Sequence, residues 1–413
     1  MLPPLFLASA AAAVHGVCAA LVATFVAACC VPALHAPARA AVGPWARHHV
    51  EGGVAWVRWA QRRESRILTA LAGATSHSVS VPFYGAFLPA LIWLGLPELG
   101  WRLVLLMALC LYVGNAMKDL ACAPRPRGVA YGAARVRLLG PAGAEAVANA
   151  VEYGAPSSHT MNALCLCFYS VHYAHAGALV GDAAAAAAYA AAATWVLWVA
   201  ATRLYLGLHT PLDVLAGATA GLAVVSCFLG VERGAGALLA LGPRGAPAAA
   251  AAVAMVLLRL HPRPLRHTPT FEFSTAFLGV ALGAVAAAAR RPDLVLAPPV
   301  RLAAAAAGGA PWAARRLGTG FAAVLAARAA ARAAAHLALP PLYSAVPFAL
   351  RRVWQPPVHD RGPGRPPAAL AGLPRASGGA AADVEATARF LTYAAIGWAA
   401  CEGAPRLFEA WGL

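Results

Sequence analysis

The sequence predicts an all-α protein built as a polytopic membrane helical bundle. Three observations predict it. Of 413 residues, 61% are hydrophobic and only 12% charged, where soluble domains carry about 25% charged residues. The mean hydropathy is +0.65. The apolar residues are gathered into long runs of membrane-spanning length.

Residues 5–33 form the first run, interrupted only by His15. It is long for a signal peptide and lacks a charged start, so a membrane anchor is favoured over a targeting segment. The stretch from Trp56 to Arg66 mixes two tryptophans with four arginines and suits an interfacial helix with snorkelling arginines. Spanning segments are expected at 80–97, 101–117, 160–179, 183–204 and 209–230, then at 246–259, 275–289, 319–337 and 388–402. This makes about eight to ten crossings. The expected organisation is an N-terminal segment 1–50, a core 51–232, additional membrane helices 233–354, a flexible loop 355–382 rich in Pro, Gly, Ala and Arg, and a C-terminal membrane helix 383–413.

The formal net charge is +16. The basic residues sit mostly in short loops between apolar runs, without a basic and aromatic platform, so a nucleic-acid partner is not expected. Contact with lipid headgroups accounts for them better. Arginine almost replaces lysine, as under a mutational bias, and Lys118 is the only lysine. The nine cysteines form no CxxC pair and lie mostly in apolar runs, so neither a disulfide framework nor a zinc site is expected. His172 and His175 fall in an apolar helix and suit packing or interhelical bonding; His48 and His49 are expected in a loop.

Three short blocks carry chemistry. The first, Lys118 to Pro126, begins where an apolar helix ends and contains Lys118 and Arg125. An ammonium and a planar guanidinium both suit phosphate oxygens. A basic membrane flank is the plain alternative, weakened by a lysine in a chain that otherwise uses arginine. The second block, Glu152 to His159, holds Pro156, Ser157 and Ser158 just before an apolar run. A helix start offers free N–H groups and a positive dipole end to an anion, and His159 in its first turn would face that anion. Ordinary capping is the alternative. The third block runs from Arg203 through His209 to Asp213. His209 and Asp213 are four apart and so share a helix face. A carboxylate on one ring nitrogen leaves the other free to attack. A His–Asp pair stitching a helix start is the alternative.

Counting crossings brings all three blocks to one membrane face. The spacings K-x6-R-P, P-S-x-H and R-x5-H-x3-D, nine fixed positions in order, resemble the type 2 phosphatidic acid phosphatase superfamily. Ser158 stands where that family usually has glycine, and Thr202 where serine is frequent. Within it, Lys118-Asp119, Glu152-Tyr-Gly and Arg203-Leu-Tyr-Leu-Gly-Leu-His209 resemble the sphingosine-1-phosphate and long-chain base phosphate phosphatases, as do 269–279 and 389–398. The resemblance covers roughly 55–405 and is patchy after 230.

The resemblance implies a six-helix, chloroperoxidase-like phosphatase core acting on a phosphorylated lipid without a metal or other cofactor. It implies that Lys118, Arg125 and Arg203 clamp the phosphate, with Ser157 and the N–H of Ser158 adding donors. His209 would be the nucleophile that forms a phosphohistidine, Asp213 its orienting carboxylate, and His159 the general acid and base. Broader lipid phosphatases acting on phosphatidic acid or polyprenyl diphosphate share these blocks. Headgroup transferases tend to lack the first block, related haloperoxidases are soluble, and a transporter or scaffold has no need of all nine positions. Relatives of this branch imply an endoplasmic-reticulum site facing the lumen. The arginines near 58–66 and 259–266 pull the other way, toward a cytosolic face.

Overall fold

The computed structural model describes residues 31–126, 136–140, 152–265, 268–296, 302–345 and 379–413, with a few positions between 16 and 29. Its described residues contain helices and no strands. The main helices are α1 (His35–Gln61), α2 (Arg66–His77), α3 (Val81–Trp93), α4 (Pro97–Ala121), α5 (Ser158–Ala176), α6 (Asp182–Tyr205), α7 (Pro211–Val231), α8 (Ala235–Ala240), α9 (Gly242–Leu260), α10 (Thr270–Arg290), α11 (Pro292–Val295), α12 (Leu302–Ala345), α13 (Gly379–Trp398) and α14 (Ala404–Trp411).

Six helical segments are long and apolar enough to cross a membrane: α4, α6, α7, α9, α10 and Gly309–Ala345 of α12. The chain is therefore built as an integral membrane protein. α3, at 13 residues, is shorter than a bilayer crossing requires. α5 reaches 19 residues but is lined with His, Tyr and Ser and is not among the six. The expected count of eight to ten compares with these six among the described residues.

The chain divides into two compact units. The first comprises Met1–Phe83, Leu109–Arg233 and Pro262–Thr270; the second comprises Tyr84–Ala108, Gly234–His261 and Phe271–Leu413. This differs from the expected division. Residues 84–108 fall in the second unit, and α1 runs unbroken through the expected boundary at 50/51. His48 and His49 accordingly lie in a helix, not a loop. Residues 355–378 lie outside the described residues.

In the first unit α5 packs along both α6 and α7. The stretch Trp56–Arg66 is not one helix: α1 ends at Gln61 and α2 starts at Arg66. Two anchors make the break. Ser65 caps α2 by accepting from Leu68 N at 3.1 Å. Gln61 Nε2 donates to Arg137 O at 2.7 Å and to Tyr205 O at 3.1 Å. Trp56 and Trp59 remain exposed at the outer face of α1, as amphipathic rings are at an interface. His175, at the end of α5, bonds Asp182 at the start of α6 at 3.0 Å, the interhelical option of the two expected for it.

In the second unit Trp93 donates its indole N–H to Ala400 O at 2.9 Å. That carbonyl belongs to a π-helical turn, Ala399–Gly403, joining α13 to α14.

Candidate active site

The site lies wholly in the first unit, where four segment ends meet. α4 carries Lys118 in its last turn, and Arg125 follows on the outgoing chain. Ser157 is the N-cap of α5. Arg203 stands in the last turn of α6. His209 precedes Thr210, the N-cap of α7. α5 leading away and α6 leading back therefore carry all three sequence blocks to the same end of this bundle.

Hydrogen bonds lock the blocks to one another. Gly154 N donates to Ala123 O at 2.8 Å, tying the second block to the first. Ser157 N donates to Asp213 O at 2.8 Å, tying the second to the third. Arg125 Nη1 donates to Leu208 O at 3.4 Å, closing the ring. Two glycines permit the approach. A Cβ on Gly217 would stand 2.6 Å from Ser157 O. One on Gly154 would stand 2.8 Å from Pro124 O and 3.0 Å from Asp213 Oδ1.

Asp213 has two partners. Its Oδ2 accepts from Thr210 N at 2.7 Å and from Thr210 Oγ1 at 3.1 Å, completing a capping box at the start of α7. The same oxygen lies 3.6 Å from His209 Nδ1, beyond ordinary hydrogen-bond length. His209 does not share a helix face with Asp213, contrary to the spacing argument. It lies outside α7, and the capping turn brings the carboxylate back toward it. Among the described residues His209 Nδ1 has no hydrogen-bond partner, so a small closure would complete the pair.

The cations are buried. Arg203 is 0% and Lys118 2% exposed. Arg203 Nη2 is hydrogen-bonded to Ser76 Oγ. Lys118 Nζ lies 2.7 Å and Arg125 Nη2 3.3 Å from Glu152 Oε2. His159 feels the charges of Arg203, His209, Lys118 and Arg125; His209 feels those of Arg125, Lys118, Arg203 and Glu152. The five groups named from sequence therefore form one electrostatic cluster. Burial first, then the Arg125, Lys118 and Arg203 charges, hold the His209 imidazole well below its ordinary value. These causes favour the neutral ring. Burial pushes the Glu152 carboxyl up, but Lys118 and Arg125 outweigh it and hold the group below the usual carboxylate value.

Ser157 and Ser158 sit at the N-terminal end of α5, the end whose dipole and free N–H groups favour an anion. The helical ladder begins with Met161 N donating to Ser157 O at 3.1 Å. The N–H groups of Ser158, His159 and Thr160 thus precede the first intrahelical acceptor. Ser157 Oγ accepts from Thr160 Oγ1 at 3.2 Å, which leaves its own proton to donate.

Several contributors went unassigned in the sequence. Glu152 and Gly154 were noted only as part of a resemblance, and Ser76 and Gly217 carried no signal. Asp119 beside the lysine accepts from Thr268 Oγ1 at 3.0 Å and Thr270 Oγ1 at 2.5 Å. Arg39 donates to Asp119 O at 2.9 Å and Leu120 O at 3.0 Å, capping the carbonyl end of the helix that presents Lys118. The expected N-terminal segment 1–50, read from sequence as an anchor or targeting segment, supplies that cap through Arg39.

An all-helical membrane frame with these three blocks points to a class, and residues 99–233 match the family model described as the PAP2 superfamily. The chain is similar to lipid phosphate phosphatase delta of Arabidopsis thaliana, 36% identical over 249 residues, 60% of this chain and 58% of the relative. It is also similar to a dihydrosphingosine 1-phosphate phosphatase of Saccharomyces cerevisiae, 28% identical over 51% of this chain and 50% of the relative. Similarity to human sphingosine-1-phosphate phosphatase 2 is 32% over 33% of this chain and 30% of the relative. The chain thus spans about half the length of the first two relatives and less of the third. No solved structure matches it at a significant level.

Proposed function

We propose that the protein is a membrane lipid phosphate phosphatase that hydrolyses sphingoid long-chain base 1-phosphates through a phosphohistidine. The observation that supports this most is the single cluster formed by Lys118, Arg125, Arg203, His159 and His209, with Asp213 beside the last. The sphingoid class is supported by the names of the yeast and human relatives. The printed name of the plant relative says only lipid phosphate.

Lys118, Arg125 and Arg203 offset the charge on the phosphoryl oxygens, and Ser157 with the N–H of Ser158 adds neutral donors. His209 attacks phosphorus through Nε2, forming the N–P bond as the P–O bond to the lipid breaks. Burial and the Arg203, Lys118 and Arg125 charges hold His159 well below its ordinary value. The ring therefore takes up a proton once the substrate dianion offsets those cations, and gives it to the departing alkoxide. It then takes a proton from water, whose oxygen attacks phosphorus and frees His209. Asp213 stabilises the imidazolium formed in the first step. Fixed cations carry the phosphate charge throughout, so EDTA is expected to leave turnover intact.

A panel of sphingoid base phosphate, phosphatidic acid and dolichyl diphosphate tests the substrate class. The expected result is the highest kcat/KM on the sphingoid base phosphate. Faster turnover of phosphatidic acid or the diphosphate replaces the reading with the broader one. The proposed location is the endoplasmic reticulum with the site facing the lumen. Glycosylation of an acceptor engineered near Gly143 is the expected result there, and an unmodified acceptor in a fully inserted chain contradicts it.

A further inference from the structure

Glu152 brings an anion into a clamp that the sequence presented as purely cationic. Its Oε2 bridges Lys118 Nζ at 2.7 Å and Arg125 Nη2 at 3.3 Å, with the side chain 9% exposed. An oxygen shared between an ammonium and a guanidinium holds the position and the charge that a phosphoryl oxygen would take. Arg125 also donates from Nε to the main-chain oxygen of Glu152 at 3.2 Å. The backbone of residue 152 is therefore pinned to the clamp, while the carboxylate reaches it through freely rotatable torsions. The group can leave the cations without disturbing the chain that carries it.

Charge makes the carboxylate and a phosphate compete. Lys118, Arg125 and Arg203 bring three positive charges, and Glu152 and Asp213 two negative ones, all largely buried. A phosphate dianion added beside an ionised Glu152 turns the cluster net negative. The same dianion in its place leaves the cluster neutral. Like charges crowded into a buried site do not both remain. Two buried cations without any counterion are equally costly, so an empty clamp needs an occupant.

Resting on the phosphatase reading, we propose that Glu152 is the internal ligand of the Lys118–Arg125 clamp, displaced by the substrate phosphate and returning to expel inorganic phosphate. It shields the cations between turnovers and keeps the product from saturating the site. The competition raises the apparent dissociation constant of every phosphate ligand by the reciprocal of the fraction of time the carboxylate leaves the clamp free.

The test compares the full-length wild type with Glu152→Gln, which keeps the shape and removes the charge. Inorganic phosphate is the probe. It is read as an inhibition constant and, independently of turnover, as a thermal shift of the detergent-purified protein. The expected result is phosphate binding about tenfold tighter in the variant by both readings. Equal or weaker binding overturns the proposal and makes Glu152 a positioning residue that holds the two cations in place. A wild type that binds phosphate and hydrolyses lipid phosphates in that case leaves the phosphatase reading standing. A wild type that does neither takes both down. Should the glutamine variant not fold, Glu152→Ala replaces it. The methyl carries neither charge nor bridge, so phosphate should again bind more tightly than in the wild type, and no tightening overturns the proposal.

Discussion

Among the described residues each unit buries one glutamate among cations, and the two glutamates are treated differently. In the second unit Glu402, 0% exposed, accepts from Trp398 Nε1 at 2.6 Å. It pairs with Arg406 at 2.5 Å and Arg290 at 3.6 Å, whose side chains are 44% and 54% exposed. Those cations reach in from solvent or headgroups, so only the carboxylate pays for burial. In the first unit the cations themselves are buried, with Lys118 at 3% and Arg125 at 16% side-chain exposure. Desolvating both partners seldom favours stability over an apolar packing. On the proposed reading, a buried pair whose cations are the dehydrated members is an arrangement for receiving another anion. A buried carboxylate with half-exposed cations is a stitch.

That contrast can be broken by substitution. The largest effect is expected at the reacting groups: His209→Ala lowers kcat by at least about 10³-fold, and His159→Ala by roughly 10²- to 10⁴-fold, measured on sphingoid base phosphate. A His159→Ala variant with near wild-type kcat would remove it from the proton transfers. Next comes Gly217→Ala. The added methyl must push α7 off Ser157, and displacing catalytic groups by about an ångström costs around 10²-fold. Steady-state kinetics should show kcat falling while the protein stays folded. Unchanged kcat would mean the contact tolerates the shift.

A smaller effect separates charge from packing. Burial and the Arg125 charge both favour neutral His209, so the imidazole protonates only well below its ordinary value. Arg125→Gln removes one of those charges, which lets the ring protonate at higher pH. The acid limb of kcat/KM should then move up by roughly one pH unit, and a limb that stays put would leave burial alone as the cause. The smallest effect on chemistry is expected at the stitch. Glu402→Gln should lower Tm by several degrees yet leave KM unchanged. A changed KM would abolish the distinction between the two glutamates.

The sequence revealed much of this because its signals are local. Lysine at a helix end, Pro-Ser before an apolar run, and His four residues from Asp each state their chemistry within one short segment. What escaped was long-range. Glu152 meets Lys118 across 34 positions, and Thr268 meets Asp119 across 149. Gly154 and Gly217 matter for atoms that are absent, which no composition or spacing reports. The His–Asp pair was identified for a reason the structure replaces: the capping box at Thr210 brings the two together, not a common helix face. The break between α1 and α2 was hidden for a similar reason. Gln61 ends its helix by bonding carbonyls of Arg137 and Tyr205, far away in the chain.

The account depends on His209 becoming covalently attached to phosphorus. Quenching the protein in alkaline detergent during turnover of ³²P-labelled sphingoid base phosphate, then counting the bound label before and after acid treatment, tests this directly. The predicted result is label on the wild-type protein that is lost in acid, survives alkali and vanishes in His209→Ala. Turnover without any bound label, or label that persists when His209 is replaced, would contradict it.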